Sequence, residues 1–521
     1  MAHRLLIFGL ALFIASGLPV SGQEAKTVAA YDISNYGAVA AGKTKCTEAI
    51  RKAIEAADSK GGGTIYFPAG TFLTGPIHLH SHITLFLDAG SVLKFSTDFD
   101  DYLPMVPSRW EGIEITNFSP LIYAHDVEDI AIRGRGTIDG QGRVWWQAVA
   151  AVKAGKQSAP NKWQQEFRRL NPQPIISPGY KSFDLAFMRP PLIQPFNCTN
   201  VLIEGVTIIN SPFWTVTPVY CENVTVHGVI IQNPDPSPNT DGIDPDSCHN
   251  VRISDCQISV GDDCITIKSG RDADGRRVGR PAENYTIVNC TMEHGHGGVV
   301  IGSEMSGNVK NITVANCVFD GTDRGIRIKA ARGRGGVVEN VRVSNIIMRN
   351  IRREAVMLTT FYEQSDPEPA SERTPVFRNI HLNGITGNAK VAGEFTGLSE
   401  MPLQSVSLAD VQLEAETGFK ITDAKDISFQ NVMVHVAKGP AFLADKTDGL
   451  EISSLRIGGI NAQAPVIDLR DVKRAFVHGC SGARSMAGFV RVLEGNAGEL
   501  TLEGNDFGPI DKAVVHGPAE K

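Results

Sequence analysis

The sequence predicts an all-β fold: a single-stranded, right-handed parallel β-helix, or solenoid, with a short N-terminal capping helix. The first observation is a recurring frame of Asn followed by an alternating apolar run, as in NVLIEGVTI, NVTVHGVII, NVRISDCQI and NITVANCVF. The second is its spacing of about 22–30 residues, which is typical of one solenoid coil with about three short strands. The third is an apolar set rich in Val and Ile with only 7% aromatic residues, which favours strands.

One coil of this length cannot bury its inward face alone, so the repeat predicts stacked coils that share a continuous core. An antiparallel β-sandwich is the alternative, but it needs turns every ~8–12 residues, and the observed spacing is longer. We expect a signal peptide over residues 1–22, a β-helix catalytic domain over 23–455, and further coils or a C-terminal cap over 456–521.

The N-terminus predicts export. Residues 1–4 are basic, residues 5–20 are apolar, and small residues follow, which is the pattern of a secretory signal peptide cleaved before Gln23. The apolar run is shorter than the ~20 residues that a membrane anchor needs, and no later segment is apolar enough to span. We therefore expect an exported protein, periplasmic or secreted, with no membrane span.

The N-terminal end of the solenoid needs a cap, because a terminal coil would otherwise expose its apolar inward face. Residues 43–58 have apolar side chains at helical spacing, which predicts a capping helix in this segment. The side chains expected to face the core are Cys46, Ile50, Ala53, Ile54 and Ala57.

Seven of the nine cysteines lie between Cys198 and Cys317, with gaps of 23, 27, 8, 8, 26 and 27 residues. No C-x-x-C motif occurs, which argues against a zinc site. Gaps near the coil length predict that several cysteines occupy equivalent interior positions and stack as small apolar residues. One or two disulfides are the alternative for an exported protein.

Two stretches interrupt the period, residues 101–115 with Trp110 and residues 144–190 with Trp145 and Trp163. Such inserts form loops on one face of a solenoid, often the binding face. Two interpretations of the tryptophans stay open: exposed platforms for sugar rings, or side chains that pack the insert onto the coils.

Four motifs in neighbouring coils hold the polar residues suited to chemistry. They are NTDGID at 239–244, GDDC at 261–264, GHG at 295–297 and RIK at 327–329. Asp241, Asp262, His296 and Arg327 follow one another by 21, 34 and 31 residues, about one coil each. Because adjacent strands lie ~4.8 Å apart, these side chains are expected to stack on one face.

With Asp263, the cluster holds three carboxylates that cannot all ionise freely, so at least one pKa is expected to be raised. A carboxyl group with a raised pKa is suited to general acid catalysis. Carboxylates one or two coils apart would be separated by ~5–10 Å, and the longer separation suits inverting glycoside hydrolysis, which places a water molecule between base and sugar.

Charge indicates the substrate class. The formal net charge is −7, which argues against nucleic-acid binding. Within this acidic chain, five cations lie in residues 324–334 and four in residues 271–280. A local positive cleft beside carboxylates suits acidic sugars. Arg327 and Lys329, two residues apart on a strand, are expected to share one face.

The four motifs, in this order and spacing, resemble those of glycoside hydrolase family 28, the polygalacturonase family of pectin hydrolases. The resemblance extends over about residues 30–450 and begins with YDISNYGA and GGGTIYFPAGTFLTGPIHLHSHITLFLDAGSVL. It implies hydrolysis of α-1,4-galacturonosidic bonds in pectin or oligogalacturonides by an inverting two-carboxylate mechanism, with no cofactor and no metal. The oligomeric state is not predicted.

The resemblance also implies roles for the site residues. Asp262 would be the general acid, and Asp241 and Asp263 would activate the attacking water. His296 would tune the protonation and geometry of the acid. The substrate-binding residues would be Asn239, Arg327, Lys329 and Tyr362.

The segments RPPLIQPFNCTNV, NSPFWTVTP and GHGGVVIGSEMSG resemble the bacterial exo-acting branch of the family, which implies release of galacturonate from a chain end. Residues 144–190 are expected to help close one end of the cleft, as exo action requires. Asp244 follows Asp241 by three residues, so strand alternation predicts that it points to the other face.

Three alternative functions stay open. An endo-polygalacturonase, or another pectin-backbone hydrolase of the family, would use the same motifs. A pectate lyase would use the acidic cluster to bind Ca²⁺, but the His-Gly and Arg-x-Lys motifs favour a hydrolase. A non-catalytic β-helix adhesin or carbohydrate-binding protein would not need stacked carboxylates beside cations.

Overall fold

The chain folds into the predicted parallel β-helix, in which strands of successive coils pair in parallel. A computed structural model describes residues 30–156, 160–172, 188–457, 464–482, 488–493, 499–507 and 513–517. The predicted signal peptide, residues 1–22, lies outside the described residues. No helix in the described ranges is both long and apolar enough to cross a membrane.

The N-terminal part contains the predicted cap. Helix α1 (Thr47–Asp58) buries Ala49, Ile50, Ala53, Ile54 and Ala57 against the first coils. Two further helices are α2 (Arg143–Lys153) and α3 (Lys162–Leu170). The strands of this part are β1 (Ala30–Asp32), β2 (Ala41–Lys45), β3 (Gly63–Phe67), β4 (Gly70–Thr74), β5 (Ile77–Leu79), β6 (Ile83–Leu87), β7 (Ser91–Phe95), β8 (Val106–Trp110), β9 (Ile113–Asn117), β10 (Ile122–His125), β11 (Glu128–Gly134) and β12 (Thr137–Asp139).

The middle part contains short strands separated by turns and one helix, α4 (Asp272–Val278). Its strands are β13 (Ile193–Phe196), β14 (Thr199–Glu204), β15 (Thr207–Ile209), β16 (Glu222–His227), β17 (Ile230–Gln232), β18 (His249–Ser254), β19 (Gln257–Ser259), β20 (Asp263–Ile267), β21 (Ala282–Val288), β22 (Thr291–Glu293), β23 (Gly297–Ile301), β24 (Val309–Asp320) and β25 (Ile326–Lys329). In one coil, β18, β19 and β20 belong to what we call the first, second and third sheets, and β21, β22 and β23 continue them.

The described C-terminal part contains five strands of 12–34 residues, which bend through two or more of these sheets, and four short strands of 2–4 residues. They are β26 (Val337–Thr359), β27 (Val376–Thr396), β28 (Leu403–Val436), β29 (Phe442–Ser453), β30 (Arg456–Ile457), β31 (Ile467–His478), β32 (Val490–Leu493), β33 (Leu500–Glu503) and β34 (Val514–Gly517). In the described residues beyond 456, parallel pairing continues from β29 through β31 to β33. The domain boundary near residue 455 stays a prediction.

Inward residues of the first sheet form a continuous apolar column. Ile132, Ile203, Val226, Ile253 and Ile287 occupy matching positions on five successive strands, and each is at most 3% exposed. Burying one such side chain contributes about 1.5–3 kcal/mol relative to leaving it in water. The predicted shared core is therefore present, and it follows directly from the alternating runs of the repeat.

An asparagine ladder runs along one corner of the coils. Each side-chain Nδ2 after the first donates to the Oδ1 of the asparagine one coil earlier, for example from Asn284 to Asn250 at 3.2 Å and from Asn311 to Asn284 at 3.1 Å, and the first donates to Asp129. The members are Asn200, Asn223, Asn250, Asn284, Asn311, Asn340 and Asn379. All seven have a left-handed φ of 54–63°, which Asn tolerates better than other non-glycine residues.

Coil lengths read along this ladder are 23–39 residues, a wider range than the sequence predicts. The two longest steps, 34 and 39 residues, contain the α4 segment and the loop after β26. Extra residues therefore leave the solenoid as loops, while the ladder keeps the corner regular.

The cysteines occupy interior positions, as the stacking interpretation predicts. All nine are described, buried and free of disulfides. Cys198, Cys221 and Cys248 follow one another in successive coils, and the backbone N–H of Cys221 donates to Cys248 Sγ at 3.3 Å. The thiol of Cys290 likewise lies between those of two other cysteines, one in each neighbouring coil.

The tryptophans of the inserts pack them onto the coils. Trp145 is 2% exposed and stacks on Phe99 with ring centroids 4.0 Å apart, and Trp163 meets the same ring edge-on at 5.2 Å. Trp110 is 1% exposed and stacks on Phe213 at 5.4 Å. Of the two interpretations left open by the sequence, the packing role is confirmed for the buried Trp110 and Trp145, while both stay open for Trp163, which is partly exposed.

Candidate active site

The candidate site lies on the outward face of the third sheet, at β20, β23 and β25. The inward residues Ile265 and Ile267 enter the core, which places Thr266 and Lys268 on the outward side. Arg327 lies beside Val300 of the preceding coil, with Ile326 and Ile328 on its inward side. The local alternation of each strand therefore decides which polar residues reach this face.

Asp241, Asp262 and Asp263 form one acidic cluster. An oxygen of each carboxylate lies within 4.8 Å of an oxygen of the other two. This is closer than the 5–10 Å that the sequence predicts, because two of the residues are consecutive and the third lies one coil away. Asp241 and Asp263 are buried, at 3% and 1% exposure, whereas Asp262 is partly exposed.

Two cations neutralise Asp263. Its Oδ1 accepts from Arg327 Nη1 at 3.1 Å and its Oδ2 accepts from Lys329 Nζ at 2.8 Å. Burial alone would raise the pKa of Asp263, but Lys329 and Arg327 outweigh it and lower that pKa. Asp263 is therefore a permanent anion in the working pH range.

Burial raises the pKa of Asp241 well above its ordinary value, and the negative charges of Asp262 and Asp244 raise it further. The raised pKa expected in this cluster is thus found at Asp241. The buried Asp241 carboxyl therefore holds its proton more readily than an isolated carboxyl group.

His296 reaches the cluster from the next coil. Its Nδ1 lies 2.9 Å from Asp262 Oδ1, and its backbone N–H donates to the Asp262 carbonyl oxygen at 2.8 Å. The hydrogen bond with Asp262 raises the pKa of His296. The next residue, Gly297, leaves space for the Asp263 carboxylate. A Cβ at this position would lie 3.1 Å from Asp263 Oδ1 and 2.5 Å from Val300 Cγ2.

The remaining predicted residues also line the cleft. Asn239 Oδ1 accepts from the buried Arg189 Nη2 at 2.8 Å, which fixes the amide at the rim. Tyr362 is 41% exposed, and its ring centroid lies 5.5 Å from the Arg327 guanidinium and 5.4 Å from Lys329 Nζ. The structure thus brings all eight predicted site residues together in one cleft of about 710 Å³.

Comparison with known proteins identifies the family of the chain. A family model described as glycosyl hydrolases family 28 matches residues 184–418, and a model described as rhamnogalacturonase A/epimerase, pectate lyase-like, matches residues 30–148. A probable polygalacturonase of Vitis vinifera is 32% identical over 409 residues, covering 76% of this chain and 77% of the relative. The chain belongs to glycosyl hydrolase family 28.

Further relatives of this glycoside hydrolase include bacterial enzymes. An endo-polygalacturonase of Pectobacterium carotovorum is 30% identical over 397 residues, covering 73% of this chain and 87% of the relative. The solved structure of an exopolygalacturonase from Thermotoga maritima superimposes with a TM-score of 0.70 at 35% identity, covering 78% of this chain and 91% of that one. All four motifs of the cleft lie inside the range that the family 28 model matches.

Asp244 differs from the sequence-based prediction. It is fully buried on the cleft side, where its carboxylate raises the pKa of Asp241 and its own pKa is raised by burial. The prediction that it points to the other face is wrong, because the chain bends at Gly242 and pairs with its neighbours only from Ile243. Ile243 takes the inward position, so Asp244 faces outward toward Thr266.

Lys268 belongs to this family 28 site but was not predicted. Its Nζ lies 2.9 Å from Glu304 Oε2 and 4.2 Å from the centroid of the Trp214 ring. Although burial lowers the pKa of Lys268, the carboxylates of Glu304, Asp241 and Asp244 outweigh it and raise that pKa. The sequence offered one signal for Lys268: it lies two residues after Thr266, so strand alternation places both side chains on the same outward face.

The cations near the cleft divide into two groups. Arg271, Arg324 and Arg334 line it together with Arg327 and Lys329. The others serve the surrounding loops. Arg276 donates to the Gly333 carbonyl, Arg277 pairs with Glu114, and Arg332 pairs with Glu400. The predicted positive lining is therefore present, but only part of it reaches the cleft.

A hairpin contributes Glu111 to the lining of the cleft of this glycoside hydrolase. Strands β8 and β9 pair antiparallel, and Arg109 Nη1 anchors the hairpin to Asp246 Oδ1 at 2.9 Å. At its turn, Glu111 Oε2 accepts from Arg271 Nη1 at 3.0 Å. No described residue of the 144–190 insert lines the cleft, so a closing role for that insert stays a prediction.

Proposed function

We propose that this family 28 enzyme hydrolyses the α-1,4-galacturonosidic bonds of pectin and polygalacturonate, and that it acts from a chain end. The observation that carries the proposal is Asp263, held as an anion by Arg327 and Lys329, in one cluster with Asp241 and Asp262. One cleft thereby supplies an acid, a base and cations for an acidic sugar.

In the proposed reaction, Asp262 protonates the glycosidic oxygen as the bond to the anomeric carbon breaks. Asp241 and Asp263 hold a water molecule, which attacks that carbon and gives its proton to Asp241, while Asp263 stays an anion. His296, hydrogen bonded to Asp262 at 2.9 Å, stabilises the carboxylate formed after proton donation. General acid and base steps of this kind each contribute about 10²–10⁴-fold to the rate.

The carboxylate of galacturonate would bind at Arg327 and Lys329. Both cations are buried, at 6% and 7% exposure, so a charge-assisted hydrogen bond there is poorly screened. The exposed ring of Tyr362 beside them offers an apolar face for the sugar. Asn239, fixed by Arg189, would orient substrate or Asp241 at the opposite rim.

Exo action is supported by the hairpin over residues 106–117. It covers the outward face of the third sheet in the coils that precede the cleft, where Ser108 Oγ donates to Gln194 Oε1 at 2.7 Å. The Glu111–Arg271 pair then bridges the hairpin and the α4 segment. A polymer chain would meet this wall at one end of the cleft and could enter only by its terminus.

The carboxylate oxygens of the cluster lie within 4.8 Å of one another, which is closer than the separation typical of inverting enzymes. The proposed inversion at the anomeric carbon therefore rests on the family resemblance. Export rests on the signal-peptide pattern of residues 1–22. Proton NMR of the first product would show β-galacturonate before mutarotation if the reaction inverts, and α-galacturonate if it retains configuration.

The deciding experiment is a time course on de-esterified polygalacturonate, followed by ultraviolet absorbance and product size. Monogalacturonate released from the start, without unsaturated ends, is the expected result. Mixed oligomers with a fast fall in viscosity would keep the hydrolysis and show endo action. Rising absorbance from unsaturated ends would show a lyase and overturn the role of Asp262.

A further inference from the structure

We propose that a second groove, at the corner between the first and second sheets, binds the acidic polysaccharide outside the catalytic cleft. The groove has a volume of about 460 Å³ and includes Phe86, Arg133, Arg135 and His227. It shares no lining residue with the catalytic cleft. The proposal rests on the proposed function for the identity of the polymer, but it concerns a different surface.

An exposed aromatic side chain marks the groove. Among the described residues, the large apolar side chains with at least 36% exposure include three aromatic ones, Phe86, Phe361 and Tyr362. Phe361 and Tyr362 line the catalytic cleft, and Phe86 lines the groove. The Phe86 ring lies nearly parallel to Tyr66, at 18° with centroids 6.2 Å apart, so a neighbouring strand supports it.

A column of outward side chains extends from this aromatic pair. In register on successive strands of the first sheet lie Tyr66, Phe86, Arg133, Glu204 and His227. Because adjacent strands are ~4.8 Å apart, the column presents a repeating surface along the solenoid axis. An extended sugar chain lying along that axis would meet one side chain per coil.

The charge of the groove suits a polyanion. Arg133 pairs with Glu204, through Nε and Nη2 at 2.6 Å each. Arg135 is exposed and makes no side-chain hydrogen bond or ion pair with any described residue. The surplus cation therefore lies next to Phe86, where the Arg135 backbone N–H donates to the Leu87 carbonyl oxygen at 2.9 Å.

The floor of the groove is backbone only. Gly134 ends β11 and Gly205 follows β14 in the next coil, and a Cβ at Gly205 would lie 2.6 Å from the Gly134 carbonyl oxygen, so glycine lets the two coils pack closely here. Both glycines are partly exposed, so backbone without side chains faces the groove. A sugar acid would stack on Phe86 and place its carboxylate at Arg135, the same pairing of aromatic ring and arginine that Tyr362 and Arg327 offer in the cleft.

Such a site would hold the polymer near the enzyme and raise the effective concentration of chain ends. The test compares the wild type with the double variant Phe86→Ala/Arg135→Ala on polygalacturonate and on trigalacturonate, which is too short to span both surfaces. We expect KM for the polymer to rise about three- to tenfold, with kcat and the kinetics on trigalacturonate unchanged. Equal KM values of the wild type and the double variant on polygalacturonate would refute polymer binding at the groove.

The matched control is Ile347→Ala/Arg349→Ala. Ile347 is 50% exposed, and Arg349 is likewise exposed without a side-chain partner in the described residues, but both lie on β26 away from the groove. This control should leave polymer kinetics unchanged. If it raises KM as much as the groove variant does, the effect is nonspecific and the proposal fails.

Binding can be measured apart from turnover by gel electrophoresis of Asp262→Asn protein through polygalacturonate, fully methyl-esterified pectin or dextran. Polygalacturonate should retard this protein more than it retards the same protein with Phe86→Ala/Arg135→Ala. An equal difference in esterified pectin would refute recognition of the acid. A slower-sedimenting groove variant would show that the groove joins two copies of the chain and would also refute the proposal.

Failure of the proposed function looks different. No release of galacturonate from trigalacturonate by any variant would remove the catalytic assignment. Differential retardation in polygalacturonate would still establish the groove in that case.

Discussion

Two stacks of side chains run along this solenoid and use the same spacing between coils in opposite ways. In the asparagine ladder each amide both donates and accepts, so identical residues in register satisfy one another. At the acidic cluster, side chains from neighbouring coils carry like charges, and the pKa of Asp241 is raised first by burial and then by repulsion from Asp262. Repetition stabilises the first stack, and in the second stack it would be destabilising without cations.

The cations that relieve the second stack come from the coil of Asp263 and from a later coil. Arg327 and Lys329 pair with Asp263, and Lys268 pairs with Glu304 while facing Asp241 and Asp244. In the cleft, unlike in the ladder, neighbouring coils therefore contribute different side chains. The comparison predicts that changes in the acidic cluster alter activity more than stability, and that changes in the ladder do the opposite.

The largest effect is expected for Asp262→Asn. Loss of the transferable proton should lower kcat by about 10²–10⁴-fold, because general acid catalysis contributes that much. The side chain is partly exposed and Asn keeps its shape, so the thermal midpoint should change little. Retained activity on polygalacturonate would show that another group is the acid.

Lys329→Met should be next. It removes a buried ammonium while keeping the aliphatic stem, and we expect kcat/KM on galacturonan to fall about ten- to hundredfold through loss of a charged hydrogen bond. Lys329→Arg, which keeps the charge, is the matched control and should recover part of the loss. Unchanged kinetics in the Met variant would refute contact with the substrate carboxylate.

The ladder is broken by Asn284→Ala, and here stability should respond. The variant loses hydrogen bonds to two coils and places Ala at φ 63°, so we expect about 1–3 kcal/mol of destabilisation in urea unfolding. Asn284→Gly keeps the backbone conformation and should lose less. Activity per folded molecule should be unchanged in both variants. A loss of kcat in the folded protein would show that the ladder contributes to catalysis and would contradict the prediction.

A smaller, pH-dependent effect is expected for Asp241→Asn. Because the folded pKa of Asp241 is raised, its buried carboxyl costs stability progressively as the pH rises from about 4 toward the folded pKa. The variant should therefore exceed the wild type in thermal midpoint at pH 8 by more than at pH 4, although it loses activity. A difference that shrinks with rising pH would contradict the raised pKa.

The smallest effect is expected from chelation. The Asp263 carboxylate is already neutralised by two side-chain cations, so EDTA should leave polygalacturonate hydrolysis unchanged. Restoration of lost activity by Ca²⁺, but not by Mg²⁺, would instead support the lyase alternative.

The ladder and the core could be predicted because each coil repeats a local rule: an Asn at the corner and alternating apolar residues on the strand. The spacing of the four motifs likewise brought Asp241, Asp262, His296 and Arg327 to one face. Residues that obey the repeat can be placed from the sequence, because the coil geometry converts sequence distance into contact.

Features that depart from the repeat were missed or misplaced. Asp244 was placed on the wrong face, because alternation does not hold across the turn that precedes Ile243. The contact between Glu111 and Arg271 joins residues 160 positions apart, and no coil period connects them. Lys268 was overlooked because its role depends on Glu304, which arrives from the following coil.

The asparagine ladder also bears on how the protein can be produced. Asn223, Asn284 and Asn311 each begin an Asn-x-Thr sequence, the acceptor for N-linked glycans in a eukaryotic secretory pathway. In the folded chain, the Nδ2 that would carry the sugar donates to the coil before it. A glycan attached during translocation would compete with coil closure, so a host lacking this modification should give the higher yield of folded enzyme.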